Sequence, residues 1–369
     1  MKFFKTYLLP GLIFQSVVIG GGYATGRELV EFFFAAGPIG GLLGLFVSGV
    51  IFSLVCAVGF ELARIAKAFD YRNFCRQLLG RGWVLFEIFY FFQLLLVLSV
   101  IGSASGQIAS QNFGIPSLIG TLSLMLFIGV LTYNGSELIK KVLAGWSVLL
   151  YGVYIVLFIL AFKSFGVEIK NIYASASIGD GWFSSGVLYS GYNLATLPAV
   201  LFAVTYHQSR KETIGAGLIS GAVTVIPAIL FFVAMMGQYP QIGNEAVPAT
   251  FLMASLDIGW LEILFQIVVF GTFVETGTAL LHAVNERIAG TFSEQRKSLP
   301  KVARPIISLV FLTMSVIAAE LFGIVNLIAK GYGLITIAFI IVLVIPLMTI
   351  GVWKIIIKRG VDKQAGSKI

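Results

Sequence analysis

Long apolar runs separated by short polar, glycine- or proline-bearing interruptions fill the chain. No stretch shows the strict alternation of apolar and polar positions that marks a half-buried strand or a membrane barrel. A bilayer core about 30 Å thick takes about 20 residues of helix to cross. Ten stretches read as such crossings, at 9–36, 39–66, 83–111, 116–133, 140–163, 183–207, 212–237, 257–286, 304–328 and 332–357. The longer ones must tilt or break. The expected fold is an all-α polytopic membrane protein with one transmembrane domain over 1–369. Within it, five-helix repeats span 9–163 and 183–357, and a tail follows at 358–369. The apolar run behind Lys2 and Lys5 reads as the first span rather than a cleaved leader, because no A-x-A-like site follows it.

Composition agrees with this reading. Of 369 residues 58% are apolar and 11% charged, against about 25% charged in an ordinary soluble domain, and mean hydropathy is +0.96. A surface facing water cannot be built from this chain, which excludes the soluble enzyme classes. Two cysteines (Cys56, Cys75) and two histidines (His207, His282) are too few for a zinc or iron–sulfur centre, and no cofactor is expected. The net charge of +8 would suggest nucleic acid in a soluble protein, but its distribution points elsewhere. Of the 25 Lys and Arg, 21 fall on one side of the ten-span arrangement. They lie in the N-terminal segment, in 64–81, at Lys140, Lys141, Arg210 and Lys211, in 287–304, and from Lys354 onward. Lys163, Lys170 and Lys330 lie on the other side and Arg27 inside a span. A different span count would scramble this bias, so both termini are expected in the cytoplasm and the protein in the cell membrane.

Two spans carry signs of interruption. The first reads Gly20-Gly21-Gly22-Tyr23-Ala24-Thr25-Gly26-Arg27-Glu28, and its glycines weaken a helix while allowing close backbone approach. Packing of helices through small residues would use the same glycines. Arg27, Glu28 and Glu31 lie within two turns, however, and intramembrane charges mark a cavity or ion path. The sixth span reads Tyr189-Ser190-Gly191-Tyr192-Asn193-Leu194-Ala195-Thr196-Leu197-Pro198. Gly191 and Pro198 weaken it, and a simple proline kink is the plainer alternative. Interruptions in the first helix of each five-helix half point to a transporter with an inverted repeat.

These features resemble the amino acid–polyamine–organocation superfamily, whose members share the leucine-transporter fold. Gly20-Gly21-Gly22 with Thr25-Gly26 looks like its helix 1 motif, and Tyr189-Ser190-Gly191-Tyr192-Asn193 like its helix 6 motif. Within it, Gly-Gly-Gly-Tyr-Ala-Thr-Gly-Arg-Glu most resembles the bacterial YkvI-type membrane proteins. The resemblance implies a central site between spans 1, 3, 6 and 8, a bundle rocking against a scaffold, and an external lid at 238–256. It also implies sodium held by span 1 carbonyls and span 8 hydroxyls, here Gly20, Thr272 and Thr276, with Glu275 and Thr278 at similar depth. Some proton-coupled relatives place a lysine in mid-helix 5; here Lys140 and Lys141 sit at that helix's entrance, which favours sodium. Arg27-Glu28 departs from the family pattern, so the substrate does not carry over.

Interrupted helices expose N–H groups and carbonyls without intrahelical partners. The positive end of the outer half-helix suits a carboxylate, and the carbonyls ending the inner half suit a cation. Together they match a zwitterionic or anionic solute carried with a cation. Expected contacts are Gly20, Gly21, Gly22, Tyr23, Thr25, Gly26, Ser190 and Gly191, with side chains of Tyr189, Asn193 and, on a span 3 face shared with Ser99, Ser103. Arg27 either binds a substrate carboxylate bidentately or pairs with Glu31 one turn on, so that Arg27, Glu28 and Glu31 form a gate. Glu275 either serves the coupling ion or bonds to a neighbouring helix, and Glu320 suits the second role. The expected activity is secondary active transport, as sodium-coupled symport of an amino acid or related solute, with a small molecule and lipid as partners. Alternatives are proton coupling and a ligand-sensing subunit resembling that of the spore germinant receptors. An intramembrane hydrolase needs a Ser/His or paired-Asp arrangement at depth, which His207, His282, Asp180 and Asp257 do not supply. Nucleic acid and an obligate protein partner are not expected.

Overall fold

Lipid offers a peptide backbone no hydrogen-bonding partner, so each apolar run must close its own ladder. In the computed structural model all regular elements among the described residues are helical. Described are residues 3–134, 136–294, 300 and 303–357, without the side chains of 133–148, 150, 283, 286, 289–291, 293 and 294. The expected tail at 358–369 and the side chains of Lys140 and Lys141 lie outside the described residues.

Six described stretches are long and apolar enough to cross a membrane, and Ser117–Thr132 is a shorter apolar helix. Two of the six, Arg27–Ala66 and Ala303–Ile357, each join parts of two spans. The inner half of span 1 and all of span 6 are absent from the six because the breaks leave them short. Counted this way, the ten expected spans are present among the described residues. Large apolar side chains such as Leu126, Leu321 and Leu334 project outward at 67%, 72% and 77% exposure, the pattern of a surface solvated by lipid.

Several expected boundaries shift. The 67–82 loop holds a helix, Tyr71–Leu79, whose N-terminus is capped by Asp70 accepting from the Asn73 N–H at 2.9 Å. Span 5 continues as helix to Ser175 past a non-helical Phe165 (φ −118°, ψ 18°). Forty residues of helix are about 60 Å long, so the part beyond Phe165 cannot continue straight through a bilayer. The 238–256 segment folds as two short helical pieces, Gln241–Asn244 and Pro248–Leu256, packed over the outer half of span 1.

Spans 2 (Gly37–Ala66) and 7 (Arg210–Met235) approach through small residues. A Cβ on Gly217 would lie 2.3 Å from Ala57 Cα, and one on Gly221 2.2 Å from the Gly49 carbonyl oxygen. The Ser53 hydroxyl donates to the Leu218 carbonyl at 2.7 Å across the same seam. In lipid such contact between backbones replaces the hydrophobic force that drives helices together in water. Spans 3 and 4 use the same device, with Ser105 donating to Gly120 O at 3.1 Å and Thr121 to Gly102 O at 3.1 Å. We expect Gly217→Ala to cost about 1–3 kcal/mol by overpacking against backbone, seen as a lower unfolding temperature in detergent. Gly152→Ala, with nothing within 4 Å, should leave that temperature unchanged or raise it.

Candidate functional site

Span 1 is broken twice. Its inner half, Leu9–Val18, ends where Ile19 (φ −75°, ψ 71°) leaves the helical region and Gly20 (φ −95°, ψ −165°) runs extended. A single turn, Gly21–Ala24, follows, and Gly26 (φ 79°) takes a left-handed conformation that a glycine accepts without strain. The outer half is Arg27–Phe33. Groups freed by the breaks find partners. The Tyr154 hydroxyl donates to Ala24 O at 3.0 Å, the Ala249 N–H to Thr25 O at 2.9 Å, and the Thr25 hydroxyl to Gly22 O at 2.8 Å.

Span 6 breaks later than its sequence suggests. Trp182–Leu194 is continuous α-helix through the Ser-Gly-Tyr-Asn stretch, and short 3-10 turns take over at Leu197–Ala199 and Leu201–Val204. Pro198 is the cause, since it has no N–H to return to the preceding turn. The Asn193 carbonyl at this end accepts from both the Thr196 hydroxyl at 2.7 Å and the Thr196 N–H at 3.2 Å. Gly191 serves packing: a Cβ there would lie 2.4 Å from Ile340 of span 10.

Beside these breaks lies a cavity of about 160 Å³ between spans 1, 3, 6 and 8, of the order of a cavity that accepts benzene. Span 1 lines it with Gly20, Gly21 and Glu28, span 3 with Tyr90 and Gln93, span 6 with Tyr192, Asn193 and Thr196, and span 8 with Glu275 and Thr276. The remaining wall includes Ser16 and aliphatic residues, among them Val18, Val97 and Leu280. Glu28 is 2% exposed, with Oε2 unpaired, and Gln93 is 3% exposed, with Oε1 unpaired and its amide donating to Tyr192 O at 3.3 Å. Tyr332, stacked on Tyr192 at 4.1 Å between ring centroids, flanks the Glu28 carboxyl. Gly22 lies directly beneath it: a Cβ there would sit 2.3 Å from Glu28 Oε1. Tyr151 of span 5 is at electrostatic range of Glu275.

Other expected residues stand elsewhere. Thr272 is one turn from Thr276 and donates to Val268 O at 2.9 Å, away from the cavity wall. Ser103 lies one turn beyond Ser99, which faces a groove against spans 9 and 10; the cavity face of span 3 is the one carrying Tyr90, Gln93 and Val97. Ser190 donates to Gly186 O at 2.6 Å within its own helix. Tyr23, Thr25 and Gly26 build the outer seal, in which Tyr23 meets Tyr154 and Tyr189 meets Phe32 and Phe33 edge-on. Arg27 Nη1 donates to the carbonyls of Gly243 and Glu245, both at 3.1 Å, and Nη2 pairs with Glu31 at 3.1 Å. This guanidinium therefore ties the outer half of span 1 to the lid rather than reaching the cavity. Glu320 Oε1 lies 3.3 Å from the Thr121 hydroxyl oxygen, a polar contact between spans 9 and 4.

The polar lining residues that sequence reasoning left out are Ser16, Tyr90, Gln93, Tyr192 and Thr196, and Glu28, expected at the gate, lines the cavity instead. Tyr90 shares the helical face of Gln93, a signal present in the sequence; Thr196 was masked by the expected position of the span 6 break. At the opposite end, the Arg287 guanidinium lies between the Tyr71 and Tyr90 rings, 3.6 and 3.7 Å from their centroids. Arg64, Arg72, Arg76, Arg287 and Lys354 all gather at this end, where Lys354 donates to Gln77 O.

No protein-family model matches the chain. The chain is similar to "Uncharacterized membrane protein YkvI" of Bacillus subtilis (strain 168), with 23% identity over 339 residues, 89% of this chain and 92% of that protein. Its fold is similar to a Na+-coupled sialic acid symporter in a substrate-bound, outward-open state, at TM-score 0.65 and 15% identity over 90% of this chain and 78% of the symporter. It is similar also to MhsT in complex with L-phenylalanine, at TM-score 0.61 and 14% identity over 95% and 97% of the two chains. The chain is a multi-pass membrane protein with the leucine-transporter fold.

Proposed function

We propose that the protein is a secondary active transporter that moves a small solute by alternating access. The observation that carries this reading is the cavity at the breaks of spans 1 and 6, an aliphatic wall carrying a few polar groups such as Glu28, Gln93 and Asn193, sealed on one side by the lid, Arg27 and a wall of tyrosine and phenylalanine. A site that must open to each side in turn needs such separable closures. The sialic acid symporter and the phenylalanine complex of MhsT support the same class of activity. The basic end of the bundle is assigned to the cytoplasm, which makes the sealed side the external one.

Sodium is the proposed coupling ion, held by oxygens of the Gly20 region, Thr276 and Glu275; all three residues line the cavity. A hard cation takes such oxygen ligands. Uptake into proteoliposomes and binding to purified protein, each compared in sodium and potassium, test this. Glu275→Gln should raise the sodium concentration needed by about tenfold or more, the effect of losing one charged contact; unchanged sodium dependence sinks the assignment.

The outer seal yields a separate expectation. Arg27→Ala removes the ties to Gly243, Glu245 and Glu31. It should therefore speed modification of Thr276→Cys by a membrane-impermeant thiol reagent applied outside cells by about tenfold. Native Cys56 and Cys75 are both buried, which keeps the background low. Equal labelling rates with and without Arg27 show that the seal does not depend on it.

A further inference from the structure

We propose that the solute bears a primary ammonium group on a small aliphatic body, and that Glu28 with Gln93 holds this group. The proposal rests on the transport reading above and narrows it. Its basis is the balance of donors and acceptors around the cavity. Glu28 and Gln93 are each more than nine-tenths buried, each lines the cavity, and each leaves one oxygen acceptor unpaired. Tyr332 flanks the Glu28 carboxyl, yet Oε2 stays unpaired, and burying an acid oxygen without a partner is costly. The described lining includes no lysine or arginine to relieve it. Arg27 is committed to the lid and Glu31, and Arg287 stays behind the Tyr90 ring.

The missing partner must bring positive charge and donors. An ammonium group brings three donors and no acceptor, which suits the two unpaired oxygens of Glu28 and Gln93. A divalent metal suits the site less well, because no group of three or more His, Cys, Asp or Glu side chains gathers among the described residues. The rest of the wall, Val17, Val18, Leu94, Val97, Ala279 and Leu280, offers aliphatic surface to a short hydrocarbon body. An anionic solute without an ammonium group would face Glu28 across this small space and is disfavoured.

The test is direct binding to the purified full chain, in sodium, of four probes: n-butylammonium, butyrate, n-butanol and Mn2+. n-Butylammonium should bind, with butyrate and butanol at least about tenfold weaker, since a charged hydrogen bond is lost or reversed. Glu28→Gln should weaken n-butylammonium by about tenfold or more and Gln93→Leu by severalfold. Butyrate or butanol binding as well as the amine overturns the proposal, as does amine binding that is unchanged in Glu28→Gln or absent from the wild type. Mn2+ binding that excludes the amine and is lost in Glu28→Gln overturns it in favour of a metal. Should Glu28→Gln not fold, the comparison of amine with carboxylate on the wild-type protein decides. Movement of the bound probe, measured in proteoliposomes against protein-free liposomes, separates the two readings. Amine binding without movement overturns transport and leaves the ammonium site; movement of butyrate does the reverse.

Discussion

The backbone of span 1 cannot be left unsatisfied inside a bilayer, and much of the architecture around it answers that constraint. Two interruptions within eight residues, at Ile19–Gly20 and Gly26, free carbonyl and N–H groups where water is scarce. Tyr154 of span 5, Ala249 of the lid and Thr25 of the span itself reach some of them. Those contacts fix where span 5 and the lid must stand relative to span 1. The cavity at Gly20 and Gly21 is where no protein group has closed in.

The two ends of the bundle are closed by different physics. On the lid side the seal is continuous, built of edge-on aromatic pairs and one arginine bonded to two carbonyls and a carboxylate. On the basic side Arg287 lies between the rings of Tyr71 and Tyr90, behind the cavity wall. Carbonyl-bound Arg27 is held in place by bond direction.

Much of the fold was legible in the sequence. Apolar run lengths and the one-sided distribution of Lys and Arg give ten crossings, and Gly20–Gly22 marks the first break. Less legible were the elements that run along or outside the bilayer. Tyr71–Leu79 and the continuation of span 5 to Ser175 read as polar connections, because hydropathy is blind to helices that do not cross. Helical phase accounts for the rest. Ser99 and Ser103 share a face, but the face of span 3 that meets the cavity is set by Tyr90 and Gln93, roughly half a turn away. In span 6 the glycine at 191 looked like the weak point, whereas its packing against Ile340 keeps it helical and Pro198 ends the helix several residues on. Arg27 and Glu31 are a case where spacing carried the contact: four residues apart on a helix, they meet at 3.1 Å.

Gly22 and Glu28 occupy one another's space across the broken turn, since a methyl at 22 would overlap the carboxyl at 28. The two positions are therefore not free to drift separately over evolutionary time. A lineage that acquires a side chain at 22 must shorten or redirect the residue at 28, and one that loses the acid at 28 relaxes the demand for glycine at 22. In an alignment of descendants, covariation between these two positions would record which members kept a charged cavity and which had abandoned it.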